Sequence, residues 1–230
     1  MNSESILVQD SPTTTDISIL LVDDHALLRE TLRDRLSKEA GFQIVDTANN
    51  ASDAIQLAQK HEPNVVVMDI DMPGQSCFDA AKTIKRNSPK TQVLFLSAFF
   101  HDRYIESALS AQASGYITKD EPPEVIVRAI RHAAAEVAYF SPRVQERLVI
   151  DEKGVHLADA NKSRGSLLTQ RELEVLRYIA RGLPKKEIAQ IMHVSVKTVS
   201  RHTENLMDKL DIHDRVELAR YAIREGLAEA

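Results

Sequence analysis

Five apolar runs alternate with amphipathic segments along residues 17–135, and this alternation limits the possible folds more than any other feature of the chain. The strand candidates are ISILLV (17–22), FQIVDTA (42–48), NVVVMD (64–69), QVLFLSA (92–98) and GYITK (115–119). Between them apolar residues recur at helical spacing, as Leu28, Leu32 and Leu36 do. Strands that alternate with helices form a parallel sheet covered by helices on both faces. We therefore predict an α/β domain with a doubly wound, five-stranded parallel sheet.

The sequence beyond this domain has a different character. Residues 136–165 are mostly polar, turn-rich and aperiodic, which predicts a linker. Helix signals then return without any strand signal, so we predict a small all-α domain of four helices at 166–230. Its helix boundaries are marked by Thr169, in the capping box TQRE, and by Gly182, Pro184, Ser195 and Asp214. At the other end, residues 1–16 are rich in Ser and Thr and are expected to form a flexible arm.

Composition narrows the class of protein. The single cysteine excludes an internal disulfide framework and favours a reducing compartment. No apolar run approaches the roughly 18 residues of a membrane span, and the N-terminus lacks the features of a signal peptide, so a cytoplasmic location without membrane contact is expected. The formal net charge is -5, but from Ser166 onward basic and acidic side chains number 11 and 10. The acidic excess therefore belongs to the first part of the chain.

Acidic residues follow two of the predicted strands. Asp23 and Asp24 end the first strand, Asp69 ends the third, and Asp71 lies two residues later. With the strand order 2-1-3-4-5 these strands are neighbours, so the carboxylates meet at one edge of the sheet, where ligands bind in open α/β folds. Like charges at one place are unfavourable unless a cation or proton neutralises them. Because hard divalent cations prefer oxygen ligands, we predict a Mg²⁺ site.

Two further strand ends suggest what this site does. Ser97 closes the fourth strand and Lys119 the fifth, which adds a hydroxyl and an ammonium group to the same edge. A metal ion, an ammonium and a hydroxyl are the groups that a transferring phosphoryl group needs around its oxygens. A central carboxylate, Asp69, can then act as a nucleophile and become an acyl phosphate. Each of these residues alone is more often a helix cap or a solvated strand end, and only their coincidence predicts a site.

The motifs LLVDDH, VVMDIDMPG, FLSA and GYITKD resemble the receiver domain of two-component response regulators, over roughly residues 17–135. The resemblance implies a flavodoxin-like fold and phosphorylation of Asp69 by a sensor histidine kinase. It also implies that Asp24 and Asp69 bind Mg²⁺ directly, that Asp23 acts largely through water, and that Asp71 contributes its backbone carbonyl.

The same resemblance assigns roles to other residues of the predicted edge. Ser97 and Lys119 would contact the phosphoryl oxygens, and Tyr116 would be a switch aromatic that turns inward when Ser97 moves; alternatively, Tyr116 is a half-buried strand aromatic. Two departures from the family pattern stand out. Cys77 replaces a usual glycine and tolerates positive φ poorly, so the loop is expected to differ in shape. Phe99-Phe100 is unusually apolar and would either slow the access of water or form a contact surface.

The second and third C-terminal helices form a helix-turn-helix pattern. On the third, polar residues share one face: Lys197, Thr198, Arg201, Glu204 and Asn205. Such a face is ordinary for a surface helix, but Lys185 and Lys186 at the start of the second helix add cations where phosphates bind. The segment from Leu168 to Ala222 resembles the LuxR-type output domain of the NarL/FixJ response regulators.

This second resemblance assigns contacts with double-stranded DNA. It implies that the third helix enters the major groove, with Ser200, Arg201 and Glu204 as base readers. The residues expected to hold phosphates are Lys185, Lys197, Thr198 and His202. Glu204 departs from the commoner basic or neutral residue and would either weaken nonspecific binding or accept a hydrogen bond from cytosine.

The fourth helix carries more apolar surface than one small domain can cover. We expect Val216, Ala219 and Ile223 to pack inward and Leu218, Tyr221 and Ala222 to form a homodimer surface; alternatively, the linker folds back over this surface. A two-fold dimer demands an inverted-repeat DNA site, which the family resemblance also implies.

The sequence thus predicts a transcription regulator switched by phosphorylation and not an enzyme. Two alternatives remain: a Mg²⁺-dependent phosphohydrolase with DID as its nucleophile motif, and a DNA-binding regulator whose receiver takes no phosphate. Pro73 argues against the first, because that class has Thr or Val at this position and normally places the motif after the first strand.

Overall fold

The computed structural model describes residues 16–151, 154–158 and 164–228. The arm predicted at residues 1–16 lies outside this range except for Asp16. The strands of the first domain are β1 (Ile17–Val22), β2 (Phe42–Ala48), β3 (Val65–Asp69), β4 (Gln92–Ser97), β5 (Gly115–Thr118) and β6 (Tyr139–Phe140). The helices between them are α1 (Ala26–Leu36), α2 (Ala51–His61), α3 (Cys77–Asn87), α4 (Asp102–Ser110) and α5 (Pro123–Ala134).

The sheet is parallel throughout, with the order β2-β1-β3-β4-β5-β6. The predicted doubly wound fold and its central strand order are confirmed. The sheet differs from the prediction in its sixth strand, which extends the edge because Tyr139 pairs with Gly115 and Phe140 with Tyr116. Two residues are too short for a period-two pattern, so the sequence analysis placed them in the linker.

Alternate side chains of β3 show how the sheet separates two apolar layers. Val65 and Val67 belong to a layer with Leu36 of α1 and with α5. Val66 and Met68 belong to the other, which α2, α3 and α4 cover. Helices cover both faces of the sheet and leave uncovered the edge where the carboxyl ends of the strands lie. Asp69 lies at this edge, which we call the rim.

The predicted linker contains regular structure. After β6 the chain forms the short helix α6 (Pro142–Gln145) and an antiparallel hairpin of β7 (Leu148–Asp151) and β8 (Gly154–Leu157). Gly154, the first residue of β8, has φ +102°, a conformation that favours glycine. A 3-10 helix at Arg164–Leu167 precedes the last domain. The aperiodic composition of residues 136–165 therefore concealed short elements, while the domain boundaries stay predictions.

The C-terminal helices are α7 (Gln170–Ala180), α8 (Lys185–Ile191), α9 (Val196–Leu210) and α10 (Arg215–Arg224). The predicted capping box is confirmed, because the Thr169 hydroxyl accepts from the Glu172 amide and the Glu172 carboxylate accepts from the Thr169 amide. The Ser195 hydroxyl accepts from the Thr198 amide at the start of α9, and the Asp214 carboxylate accepts from the Val216 and Glu217 amides at the start of α10. Gly182 follows α7 with φ +80°, as expected of a helix stop.

The predicted orientation of α10 is wrong. Leu218, Tyr221 and Ala222 are buried, whereas Val216 is 66% exposed and Ile223 is also exposed. The residues at i, i+3 and i+4 form the stripe that packs against the domain, chiefly against α7. The apolar arc of α10 is wide enough for either side to face inward, so the sequence pattern does not determine which side is buried. Leu218, Tyr221 and Ala222 are thus core residues in this structure and not an exposed dimer surface.

Within the described part of the chain, no helix has the length and apolar character that crossing a membrane requires.

Candidate functional site

Three aspartates meet at the rim of the first domain, as the strand order predicted. Oxygens of Asp23, Asp24 and Asp69 and a ring nitrogen of His25 all lie within 4.8 Å of one another. Asp23 and Asp69 are buried, Asp69 at 2% exposure. Parallel strands bring the carboxylates together because β1 and β3 are hydrogen-bonded neighbours that end at the same level.

His25, which precedes α1, was not predicted as a site residue. Its Nδ1 lies 3.0 Å from the Asp24 carboxylate, and its side chain is 60% exposed. The motif LLVDDH contained this residue, but its position became evident only from the turn that follows β1.

Lys119 follows β5 and reaches across the rim to two of the aspartates. Its Nζ lies 3.0 Å from Asp23 Oδ2 and 3.1 Å from Asp69 Oδ2. Burial lowers the pKa of the Lys119 ammonium, but Asp69 and Asp23 outweigh this effect and the pKa is raised. The structure therefore holds a fixed positive charge beside the carboxylate predicted to be the nucleophile.

The surroundings of Asp69 destabilise the ionised form of its carboxylate. Burial raises its pKa to about 6, and Asp23 and Asp24 add to this increase, while Lys119 opposes it. Among the described residues, Asp69 Oδ1 has no hydrogen-bond partner, whereas Asp69 Oδ2 is ion-paired with Lys119 and Asp24 Oδ1 lies 3.0 Å from His25 Nδ1. A buried carboxylate oxygen without a partner, grouped with further carboxylates, forms a donor set that suits a hard divalent cation.

Asp71 points away from this cluster. Its buried carboxylate forms ion pairs with Arg177 of α7 and with Arg181, which directly follows α7, in the other domain. This arrangement leaves the predicted backbone role of Asp71 open. Burial lowers the pKa of the Arg177 guanidinium to about 10, so the group stays charged at neutral pH.

The loop after Asp71 shows how the chain accommodates Cys77. Gly74 has φ +93°, and Cys77 is the first residue of α3. Its buried thiol donates to the Ile70 carbonyl at 3.4 Å. The left-handed turn thus occurs at a glycine, and Cys77 meets no backbone strain.

Ser97 and Tyr116 share one acceptor, the carbonyl of Phe99. The Ser97 hydroxyl accepts from the Phe99 amide at 2.8 Å and donates to its carbonyl at 3.2 Å. The Tyr116 hydroxyl donates to that carbonyl at 2.7 Å. Both side chains are completely buried, so Tyr116 already points inward and is not the half-buried aromatic of the alternative reading. In this structure the Ser97 hydroxyl is engaged by its own loop.

Phe99 also contributes to the contact between the domains. The guanidinium of Arg177 lies 5.2 Å from the centre of the Phe99 ring and 5.8 Å from that of Tyr104. The Tyr104 hydroxyl donates to the Leu227 carbonyl at 2.8 Å, and Gln170 hydrogen-bonds Ser76. The contact-surface interpretation of the apolar Phe99 therefore agrees with the structure, and Phe100 stacks with Arg143 at 4.5 Å.

Arg177 and Arg181 were not predicted to contact the first domain. Arg177 lies four residues after Leu173, within the apolar stripe of α7, where a charged residue needs a partner. That position was the available signal, but it could not identify Asp71 as the partner.

The polar face of α9 remains open to solvent. Lys197, Arg201 and Glu204 are exposed, and Ser200 and His202 are partly exposed. The opposite face, with Val199, Thr203 and Leu206, is buried in the domain. Lys185 approaches from α8, with its Nζ 3.4 Å from the Ser200 hydroxyl. The structure therefore groups most of the predicted DNA-contacting residues, and partly exposed Thr198 extends the group toward the helix start.

Both parts of the chain match known families. Residues 19–131 match the response regulator receiver domain, and residues 166–222 match the luxR family of bacterial regulatory proteins.

Individual proteins are similar over nearly the whole chain. The oxygen regulatory protein NreC of Staphylococcus carnosus is 34% identical over 93% of this chain and all of its own length. The nitrate/nitrite response regulator protein NarP of Escherichia coli is 34% identical over 89% of this chain and 94% of its own. Among solved structures, the RcsB response regulator of Salmonella typhimurium has a TM-score of 0.71 over 92% of this chain and 99% of its own, at 22% identity. That structural likeness concerns the fold.

Proposed function

Because this chain belongs to the response regulators that join a receiver domain to a LuxR-type DNA-binding domain, we propose that phosphorylation of Asp69 by a histidine kinase controls its action at promoters. The family makes it a DNA-binding transcriptional regulator of a two-component system. The observation that supports Asp69 as the acceptor is its buried carboxylate, whose Oδ1 lacks a hydrogen-bond partner among the described residues and whose Oδ2 lies 3.1 Å from Lys119 Nζ. The cytoplasm is the proposed location.

The acidic rim is proposed to bind Mg²⁺. Asp24 and Asp69 would hold the ion directly, Asp23 largely through water, and Asp71 through its backbone carbonyl. When bound, the ion would neutralise the carboxylates and the charge of the phosphoryl oxygens. Asp69 Oδ1, which has no hydrogen-bond partner among the described residues, and the neighbouring carboxylates of Asp23 and Asp24 support this fit. His25, which shares the cluster, is partly solvated and stands at its outer edge.

The chain's own residues supply the rest of the reaction. One carboxylate oxygen of Asp69 attacks the phosphorus of a phosphohistidine, the P–N bond breaks, and the imidazole nitrogen leaves with the electron pair. The Lys119 ammonium, already 3.1 Å from Asp69, balances the charge of the phosphoryl oxygens. The hydroxyl of Ser97 can contact a phosphoryl oxygen after it leaves the backbone of Phe99. The departure of the Ser97 hydroxyl would change the conformation of the loop that contains Phe99, whose carbonyl also accepts from the Tyr116 hydroxyl.

The open face of α9 supports DNA recognition. Ser200, Arg201 and Glu204 are proposed to read bases in the major groove. Phosphate contacts are assigned to Lys185, Lys197, Thr198 and His202. The active form is proposed to be a homodimer on an inverted-repeat site, since two recognition helices related by two-fold symmetry require one. On α10, the apolar residues available to such a dimer are Val216 and Ile223.

One experiment tests the switch. The full chain is incubated with Mg²⁺ and a small phosphodonor, the covalent label is counted, and DNA binding is measured before and after. We expect one label per chain, its complete loss in Asp69→Asn, and tighter DNA binding of the labelled chain. Steady release of phosphate from an ester would instead favour the phosphohydrolase, and DNA binding that ignores the label would favour a receiver that does not signal through phosphate.

A further inference from the structure

One possible metal ligand at the acidic rim is a nitrogen atom. His25 contributes a ring nitrogen to the cluster, and this atom and one oxygen from each of the three aspartates lie within 4.8 Å of one another. The Nδ1 atom of His25 is 3.0 Å from Asp24 Oδ1 and 3.5 Å from Asp23 Oδ1. Mg²⁺ prefers oxygen ligands, whereas imidazole nitrogen suits transition-metal ions such as Zn²⁺. The rim therefore offers a ligand that Mg²⁺ does not need.

The turn after β1 holds His25 beside the carboxylates through its backbone. The Asp23 carboxylate accepts from the His25 amide at 2.8 Å, and the Arg29 guanidinium donates to the Asp23 carbonyl at 2.6 Å. The imidazole itself is 60% exposed. Because water surrounds most of the ring, it can turn toward a bound ion without disturbing the packed core.

The aspartates keep oxygens for a metal ion although Lys119 is close. The Lys119 Nζ lies 3.0 Å from Asp23 Oδ2 and 3.1 Å from Asp69 Oδ2, so the ammonium engages one oxygen of each carboxylate. Asp69 Oδ1 has no hydrogen-bond partner among the described residues, and the Asp69 side chain is completely buried. A buried carboxylate oxygen without a partner points to a ligand at this position.

The size of the cluster fits a four-coordinate ion. Zn²⁺ binds nitrogen and carboxylate oxygen at about 2.0–2.2 Å, so the ligand atoms of a tetrahedral site lie roughly 3.4 Å apart. The distances from His25 Nδ1 to Asp24 and Asp23, 3.0 and 3.5 Å, lie close to this value. The widest pair of ligand atoms is no more than 4.8 Å apart, so small side-chain movements complete the shell.

We propose that His25 makes the acidic rim a Zn²⁺ site, in which His25 and the three aspartates of the cluster hold the ion and phosphorylation is blocked. This inference rests on the function proposed above. Four protein ligands complete the tetrahedral shell of Zn²⁺ and leave no position for a phosphoryl oxygen. Mg²⁺ instead keeps several waters, which a phosphoryl oxygen can replace. The competition between the two ions thus controls whether Asp69 is available as the nucleophile.

Cobalt spectroscopy of the full chain tests the nitrogen ligand. Co²⁺ replaces Zn²⁺ in tetrahedral sites and absorbs visible light far more strongly there than in octahedral oxygen sites. Wild type should show this strong absorption with one equivalent of Co²⁺ and lose it when Zn²⁺ is added. In His25→Gln the absorption should fall to the octahedral level. The exposed glutamine keeps the backbone bonds of the turn and removes only the nitrogen ligand.

Affinities for the two biological ions give a second measurement. Isothermal titration calorimetry should show that the ratio of Zn²⁺ to Mg²⁺ affinity is at least about tenfold lower in His25→Gln than in wild type, since even outer-shell partners of a metal contribute that much. His213→Gln is the matched control, because His213 is 66% exposed and lies beside one carboxylate, that of Asp211 at 4.0 Å. This control should match wild type in both absorption and affinity ratio.

Labelling with a small phosphodonor in Mg²⁺ connects the site to the switch. A small excess of Zn²⁺ over the chain should stop the labelling of wild type and of His213→Gln, and His25→Gln should need at least about tenfold more Zn²⁺. Equal cobalt absorption and equal Zn²⁺ inhibition in wild type and His25→Gln would overturn the role of His25. The proposed function would then still stand on Mg²⁺-dependent labelling. A wild type that neither binds these ions nor takes the label would instead contradict the proposed metal site itself.

Discussion

The acidic rim and the recognition face are both charged surfaces, but they differ in burial. At the rim, Asp69 and Asp23 are buried and share Lys119, and Asp69 Oδ1 has no hydrogen-bond partner among the described residues. On α9, Lys197 and Arg201 are exposed to water. Charge at the rim is therefore part of the folding free energy, whereas charge on α9 affects mainly what binds there.

This difference explains why a switch can reside at the rim. A buried cluster of carboxylates is destabilised before it binds a cation. It is stabilised when the cation or phosphoryl group arrives. The exposed residues of α9 are not destabilised in this way, so their charges contribute binding free energy only when DNA is bound. Substitutions at the rim should therefore change the stability of the fold, whereas substitutions on the exposed face of α9 should change DNA binding.

The largest effect on stability is expected in α10, where a buried and an exposed position of one helix can be compared. Leu218→Asp places a charge at a position with 0% exposure, and we expect it to lower the free energy of unfolding by about 4 kcal/mol. Val216→Asp, at 66% exposure near the helix start, should change it by less than about 0.5 kcal/mol. Urea denaturation of both variants measures this difference. Similar unfolding midpoints would mean that α10 packs through its other side.

The second effect concerns pH and the rim. Because the folded-state pKa of Asp69 is raised to about 6 from 3.8, this group stabilises the fold most below pH 4, and the contribution is lost as pH rises through 6. The loss corresponds to roughly 3 kcal/mol. In chelator-containing buffer, wild type should lose more stability between pH 4.5 and 7 than Asp69→Asn does. Urea denaturation at the two pH values measures the stability that each chain loses. Equal losses in wild type and Asp69→Asn would show that Asp69 is not the destabilised group.

A smaller effect is expected on the exposed face. Arg201→Ala should leave the unfolding free energy unchanged but weaken binding to a specific site by about 1–3 kcal/mol, with relaxed preference at one base pair. Fluorescence anisotropy with a specific site and its single-base variants measures both quantities. Equal losses on specific and random DNA would assign Arg201 to a phosphate instead.

The smallest effect should follow from Lys185→Ala. This side chain is partly exposed and would contact a phosphate, so its loss should weaken all DNA sequences alike and reduce the salt slope by about one. Anisotropy titrations across a series of salt concentrations test this expectation. A sequence-dependent loss would indicate that Lys185 acts through Ser200, whose hydroxyl it approaches at 3.4 Å.

Local patterns were sufficient for much of this protein. The bounds of β1 and β2 agree with their apolar runs, and the capping box at Thr169 begins α7 where predicted. The gathering of Asp23, Asp24 and Asp69 also followed from sequence, because strand order and parallel direction place the strand ends at one edge. These features depend on residues close in sequence or on a topology that allows few alternatives.

The tertiary structure alone decided what each surface meets. The two-residue β6 forms only because β5 offers it an edge. The inward side of α10 depends on α7, and the partner of Arg177 is a carboxylate more than 100 positions away. A sequence pattern shows that a helix has an apolar stripe or that a buried arginine needs a counter-charge. Which surface satisfies that need is determined by packing between distant segments, because burial and desolvation are properties of the assembled chain.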